Sequence, residues 1–327
     1  TIIAAEKEEP VNVRAGLAST LAALLSVGSG GPVGQYGPLI HFGGTVGSWL
    51  KRSVGQAIPL STCIACGVAG AIAAGFGAPV AAIIFAHEVI LRRFSIPDAA
   101  SVSVSAVTAT TISSEFLVND GLHFEPATVG LTAELMPFVL FAAPVFAAAA
   151  ILFMMLLGFL IKMRTRSATL TVWPFILGAL ICGAASFFVP DAFGFGLPVI
   201  SDLLQDKILF QGVCILVLSK VLLTSIFIGS GLHGGIFLPS LFIGAGVGSL
   251  LGKIATLLGI AGGAQLGLAG MAAVAAAVFG APISTVLIVL EFTGSYHATL
   301  YSIVAVTVTS LITSSVYAPS FFERKTT

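Results

Sequence analysis

Charge is the scarcest property of this chain. Of its 327 residues, 9% are charged and the formal net charge is zero, whereas soluble domains carry about 25% charged residues. No basic surface is available for nucleic acid. The stretches Gly16–Leu50, Ser53–Ala86, Leu135–Ile161, Val221–Gly252, Ile254–Leu290 and Phe292–Phe322 contain no Asp, Glu, Lys or Arg. A crossing needs about 20 apolar residues, so the chain reads as a multi-pass integral membrane protein. Several runs are too long for one crossing and too short for two unless helices are short, tilted or re-entrant. Cysteine is also sparse: Cys63, Cys66, Cys182 and Cys214 all lie in apolar runs. Cys63 and Cys66 form a CxxC, but no second pair and no nearby histidine or acid joins them. They read as small buried residues in preference to a metal or redox centre. The opening segment Thr1–Arg14 is polar and acidic, unlike a signal peptide.

What the chain does contain is itself, twice. GQYGPLIHFGGTVGSWL at Gly34–Leu50 is echoed by GGIFLPSLFIGAGVGSLL at Gly234–Leu251. Pro38 pairs with Pro239, Gly43 with Gly244, Gly47 with Gly248 and Ser48 with Ser249, an offset of 201 (239 − 38). Gly67-Val68-Ala69-Gly70 is echoed by Gly267-Leu268-Ala269-Gly270. Phe76-Gly77-Ala78-Pro79 returns as Phe279-Gly280-Ala281-Pro282, and Glu88 as Glu291, now offset by 203 (291 − 88). Two apolar halves with matching Gly/Pro-interrupted segments indicate a transporter-like fold whose site lies where those segments meet.

Charges and Gly/Pro breaks divide the chain into helices. The sequence predicts Leu17–Val27, then a Gly-rich break at Gly28–Gly37, then Pro38–Leu50, Ser61–Gly75, Pro79–Leu91 and Ala99–Val118. A polar loop follows at Asn119–Pro126. Next come Leu135–Ile161, Trp173–Val189, a broken segment Pro190–Asp206, and Gln211–Ile228. A second Gly-rich break at Gly229–Gly235 precedes Pro239–Leu258, Gln265–Phe279, Pro282–Phe292 and Thr299–Val316. The cations Arg92-Arg93 and Lys162, Arg164 and Arg166 share a side, which the positive-inside rule makes cytoplasmic.

Non-helical backbone at membrane depth must be covered by protein or water. Each break leads into a helix with proline near its first turn, a position proline suits. Free amides and the positive dipole end of such a helix favour anions. Neither break contains Lys or Arg. Amides alone can hold a small anion weakly enough to release it, as conduction requires. Gly43, Gly47, Gly244 and Gly248 instead serve close helix packing.

Three motifs in order carry a resemblance. Gly234-Gly235-Ile236-Phe237-Leu238-Pro239 resembles the GxFxP motif of the CLC chloride channel and proton/chloride antiporter family. Gly34-Gln35-Tyr36-Gly37-Pro38 resembles its GREGP motif, and Phe279–Pro282 with Leu290–Thr293 resembles its APL…LEMT stretch. The likeness runs from about Arg14 to Arg324. It implies an all-α membrane bundle with an inverted repeat and broken, re-entrant helices, forming one transmembrane domain over residues 1–327. The half-repeats would be about 15–118, incomplete at its N-terminal end, and about 135–317, with no cytoplasmic regulatory domain. It implies a homodimer paired through 79–91, 99–118, 282–292 and 299–316, set in the cell's inner or plasma membrane. Chloride or a similar small anion is the transported ligand. No cofactor, metal or enzymatic activity is implied.

By motif match, the anion-binding positions are Gly235, Ile236, Phe237 and Leu238 in the second half and Gln35, Tyr36 and Gly37 in the first, with the Tyr317 hydroxyl joining the central site. Two departures bear on mechanism. The family's gating glutamate is the third residue of GREGP, where this chain has Tyr36. A phenol with a reference pKa near 10 stays neutral where a carboxylate would titrate. The antiporters' inner proton-relay glutamate falls at Val89, with Glu88 as its structural neighbour. These departures favour passive conduction over proton-coupled antiport, the alternative. Gly28-Ser29-Gly30-Gly31-Pro32 mimics the family's serine motif but lies too close to Gly34, so Ser29 is read as a decoy. Lys220 lies inside an apolar span without an evident partner. His233 precedes the second loop and is read as a local hydrogen-bonding residue. A remote alternative is an intramembrane serine hydrolase, because Ser29, Ser230 and His233 sit among glycines. A nucleophile needs a positioned base, and His233 follows Ser230 too closely.

Overall fold

The computed structural model describes residues 1–55, 58–117, 124, 134–166, 172–317 and 320–321, with backbone alone for Ile3 and Arg166. Most of the predicted polar loop Asn119–Pro126 lies outside the described residues, as does Val118. Among the described residues every regular element is helical: α1 (Ile2–Glu6), α2 (Val13–Gly28), α3 (Tyr36–Val54), α4 (Leu60–Phe76), α5 (Pro79–Phe85), α6 (Ile96–Leu117), α7 (Leu135–Arg166), α8 (Trp173–Ser186), α9 (Leu197–Leu204), α10 (Phe210–Gly229), α11 (Phe237–Leu257), α12 (Gly263–Phe279), α13 (Pro282–Thr293) and α14 (Tyr296–Val316). A π-helical turn, Ala86–Leu91, continues α5, and a 3₁₀ turn, Pro190–Ala192, precedes α9. Four described helices, α7, α10, α11 and α14, are long and apolar enough to cross a membrane; α2, α4, α8, α12 and α13 are shorter. That mixture accounts for uncharged runs that divide into neither one crossing nor two.

The repeated Phe-Gly-Ala-Pro unit shows how sequence sets these ends. Gly77 and Gly280 both take φ 68°, and their amides close onto Ala73 O and Ala276 O. A left-handed residue ends a helix at least cost when it is glycine. Pro79 then stands in the first turn of α5, where its missing N–H costs nothing.

The chain forms two compact units. One comprises Thr1–Leu24, Tyr36–Phe124 and Ile283–Gly294; the other comprises Leu25–Gln35, Glu125–Pro282 and Ser295–Thr327. In the first, α3 and α4 touch through backbone: a Cβ on Gly43 would lie 2.3 Å from Gly67 O, and one on Gly67 2.0 Å from Gly43 O. In the second, α11 and α12 do the same, with 2.2 Å from Gly244 to Gly270 O and 2.4 Å in return. The mate of Gly67 is therefore Gly270, an offset of 203 (270 − 67), and α4 and α12 align over all 17 residues at that offset. The expected pairing of Gly67 with Gly267 is three residues out. Glycine recurs on one helix face at a spacing of 3 or 4, so text alone allows a slip of one turn.

The first unit holds a reciprocal pair of caps. The Glu88 carboxylate accepts from the Ile283 and Ser284 amides, each at 2.9 Å, and from Ser284 Oγ at 2.7 Å. Glu291 accepts from the Val80 and Ala81 amides at 2.9 and 2.8 Å. Donors and acceptors both map onto each other at the offset of 203. Each glutamate satisfies orphan amides of the other half's helix and meets its positive dipole end.

Candidate anion site

The two Gly-rich breaks meet within the second unit. Gly34 N–H donates to Gly235 O at 2.8 Å, and Gly235 N–H donates to Gly34 O at 2.7 Å, an isolated antiparallel bridge. These residues are repeat mates (235 − 34 = 201), so the internal symmetry brings one position against its own copy. The approach requires glycine. A Cβ on Gly34 would lie 3.1 Å from Leu238 Cβ, and one on Gly234 2.4 Å from Val33 Cγ2. Thr224 Oγ1 donates to Pro32 O at 2.6 Å, and Gly194 N–H to Gly30 O at 3.2 Å, tying the first break to α10 and to the broken segment before α9.

Past the bridge, α11 opens in a buried place. Ile236 is 7% exposed, Phe237 2% and Leu238 0%. Ile236 is the N-cap and has no side-chain acceptor. Among the described residues no side chain accepts from the Ile236 or Leu238 amides, and the helix's own bonding begins with Ser240 N–H to Ile236 O at 3.0 Å. First-turn amides have no acceptor inside their helix. Other N-termini are served by side chains: α4 by Glu8, α5 by Glu291, α13 by Glu88 and α14 by Ser295. The Gly235 N–H donates to Gly34 O in the bridge, so in this structure Gly235 shapes the loop.

Lys220, unplaced from sequence, is buried on α10 in the same unit. Its Nζ donates to Ala192 O and Gly194 O, both at 3.0 Å, and lies 5.0 Å from the Phe242 ring centroid. Among the described residues no carboxylate pairs with it. It fastens the segment before α9 within the unit that carries the α11 N-terminus.

Tyr36, Gly37 and Val89 fall in the first unit, while Gln35, Gly235, Ile236, Phe237, Leu238 and Tyr317 fall in the second. Tyr36 opens α3. Its ring stacks on Phe76 at 3.6 Å between centroids and 15° between planes, and its hydroxyl donates to Gly75 O at 3.1 Å. Val89 is buried in the π-helical turn. Helices α3 and α11 begin two residues before the predicted Pro38 and Pro239, because proline is accepted throughout a first turn. The serines of the hydrolase reading bond backwards, Ser29 Oγ to Ser26 O at 2.9 Å and Ser230 Oγ to Ile226 O at 2.6 Å. Of the cysteines, Cys63 and Cys182 are buried, Cys66 and Cys214 half-buried, and all four are unpaired.

Comparison with known proteins gives the family. The family described as "Voltage gated chloride channel" matches residues 2–314. A ClcB-like chloride channel protein of Ralstonia nicotianae is 30% identical over 327 residues, which cover 96% of this chain and 75% of that one. The voltage-gated ClC-type chloride channel ClcB of Escherichia coli is 28% identical over 319 residues, covering 95% and 76%. Among solved structures, a slow cyanobacterial Cl⁻/H⁺ antiporter superposes with a TM-score of 0.86 at 24% identity, covering 92% of this chain and 72% of that chain. A CLC-type fluoride/proton antiporter gives 0.83 at 23% identity, covering 98% and 80%. The chain belongs to the voltage-gated chloride channel (CLC) family. It has that family's all-α fold and is an integral membrane protein of a family that moves chloride.

Proposed function

We propose that this chain passes chloride, or a similar small anion, across the membrane without tight coupling to protons, and that the anion rests on the Ile236, Phe237 and Leu238 amides. The observation that carries the binding part is the buried start of α11, whose N-cap is an isoleucine. The passive part rests on Tyr36, a neutral side chain already bonded to Gly75 O, and on Glu88 and Glu291, whose carboxylates are occupied as helix caps. Gln35, Gly37 and the Tyr317 hydroxyl complete the proposed path.

A second reading is proton-coupled exchange. The two solved structures above are proton antiporters, and that likeness favours exchange, whereas the residues at positions 36 and 89 favour passive flow. Purified protein in liposomes, with chloride and proton movement read together, separates them. Passive conduction predicts chloride efflux that drives no protons uphill. Uphill proton pumping at a fixed ratio to chloride refutes it and establishes exchange.

The protein is further proposed to reside in the cell's inner or plasma membrane as a homodimer paired through 79–91, 99–118, 282–292 and 299–316. These segments carry exposed apolar side chains, including Val80, Val104, Phe116, Ile283 and Leu311. Cysteines introduced there should crosslink as dimers. A monomer by native mass spectrometry across mild detergents would refute the pairing.

A further inference from the structure

A cavity of about 630 Å³ in the first unit lies between the end of α3, the start of α4 and the segment after α1. Glu8, Lys51, Arg52, Pro59 and Leu60 stand in its wall. The second half shows why it exists. At the repeat offsets, Lys51 is the mate of Gly252 (252 − 51 = 201) and Leu60 that of Gly263 (263 − 60 = 203). Those two glycines close α11 onto α12: a Cβ on Gly252 would lie 2.7 Å from Gly263 Cα. Two long side chains in their place open the same corner of the first half.

The charges at this corner differ between the halves as well. Arg52 is the mate of Lys253 (253 − 52 = 201), and Glu8 that of Asp206 (206 − 8 = 198). Backbone supports the second match. Glu8 and Asp206 take positive φ, 51° and 57°, each two residues past the end of α1 or α9. The bond from Glu9 N–H to Ala4 O returns as Lys207 N–H to Asp202 O, both at 3.0 Å. In the second half Lys253 is ion-paired with Asp206. In the first half the acid is diverted: both Glu8 oxygens accept from the Ser61 amide at 3.3 Å. Lys51 Nζ donates to Gly55 O and Ile58 O. Among the described residues the Arg52 guanidinium has no partner, and Ser61 Oγ, buried in the first turn of α4, has none either.

The corner lies at one end of the helices. From it α4 runs out, and α5 with its π-helical turn runs back to Arg92. Arg92 Nη1 meets Glu6, two residues before Glu8, at 3.0 Å. Lys51, Arg52, Arg92 and Arg93 therefore share a face, which the positive-inside rule makes cytoplasmic. An unpaired guanidinium presents a planar fork of donors that matches a phosphate. Basic pockets between membrane helices on the cytoplasmic side take lipid headgroups.

We infer that this corner binds the phosphate of an anionic membrane phospholipid, with Arg52 as its principal ligand. The phosphate sits on Arg52 and not on the α4 amide, which Glu8 holds. Lys51 adds charge while staying fixed to its loop.

The test separates a lipid phosphate from a soluble one. The full chain, delipidated in detergent, is titrated with phosphatidylglycerol, with diacylglycerol and with glycerol phosphate. Apparent melting temperature and lipid retained in native mass spectra are read together. Phosphatidylglycerol should raise the melting temperature by mass action and stay bound. Diacylglycerol, which lacks the phosphate, and glycerol phosphate, which lacks the chains, should do neither. Arg52 is exposed, so its substitution leaves the fold in place. Arg52→Gln should raise the half-saturating lipid concentration about tenfold, as loss of a charged hydrogen-bonded contact does, and Arg52→Lys should recover part of it. Lys253→Gln, at the paired mate, should keep the wild-type lipid response even where its own melting temperature falls. Equal loss of response in the two Gln variants would mean diffuse surface charge and overturn the inference. A wild type that responds to diacylglycerol as it does to phosphatidylglycerol would overturn it too. Saturation by glycerol phosphate as readily as by the lipid would overturn the lipid assignment in favour of a soluble phosphate.

Discussion

Replacing Glu88 tests how the two halves are fastened. Its carboxylate accepts from two amides and one hydroxyl at 2.7–2.9 Å. In Glu88→Gln one acceptor remains, and an NH₂ group faces donors in place of the other. In Glu88→Ala both amides at the start of α13 lose their partner. Losing a helix cap costs about 0.5–2 kcal/mol, and bonds to charged groups are worth about 1.5–3 kcal/mol each. The expected losses are about 2 kcal/mol for Glu88→Gln and about 3 kcal/mol for Glu88→Ala. Glu291→Ala, which orphans two amides, should cost about 2 kcal/mol. Domains of 150–250 residues lose about 2–4 °C in Tm per kcal/mol, and larger chains less. Apparent melting temperatures in detergent, read by size-exclusion chromatography after heating, should therefore fall by about 2–4 °C for Glu88→Gln. Chloride flux of the surviving protein should change little. The reasoning fails if Glu88→Gln melts with wild type. It fails more informatively if stability holds and a wild-type proton flux disappears, because Glu88 would then be a proton relay.

Further outcomes are expected. An anomalous bromide map should show a peak within hydrogen-bond reach of the Ile236 and Phe237 amides and the Tyr317 hydroxyl; strong peaks elsewhere with none there would sink the site. Gly244→Ala places a Cβ 2.2 Å from Gly270 O, so it should cost about 3 kcal/mol or more through overpacking. Gly28→Ala, with nothing within 4 Å, should be nearly neutral in the same melting assay, and equal melting of the two would contradict the packing argument. Tyr36→Phe removes the bond to Gly75 O, a loss of about 1 kcal/mol, and should leave flux near wild type. Tyr36→Glu should introduce block that varies with pH, since a carboxylate titrates near 4 and competes with anions when ionised; a pH-independent Tyr36→Glu would argue against Tyr36 occupying a gate.

Much of this fold is legible in sequence because its signals are backbone signals. Proline, glycine and the absence of charge mark helix ends directly, so the two breaks and the Phe-Gly-Ala-Pro turns are found where expected. Less legible is whatever depends on which turn of a helix faces a neighbour. The slip that paired Gly67 with Gly267 is one such case, since a glycine stripe reads alike at offsets of 200 and 203. The Gly34–Gly235 bridge could have been found: repeat mates at the same offset, each in a glycine break, can meet across an internal twofold. Lys220 could not have been placed. Its partners are carbonyls of Ala192 and Gly194, and carbonyls carry no residue-type signal.

The caps also bear on where an anion would settle. A helix N-terminus attracts negative charge wherever it occurs, so a membrane bundle offers many sites that could trap chloride. In this chain α4, α5 and α13 are met by Glu8, Glu291 and Glu88. Those termini already hold a negative charge of the protein's own, and a mobile anion there would be repelled. The start of α11 differs: the Ile236 side chain cannot accept a hydrogen bond, and the buried Lys220 of its unit is held by two backbone carbonyls. On the proposed reading, the glutamates do two jobs. They fasten the repeat, and they remove competing sites, so that the amides after Gly235 are left for an ion that must also leave.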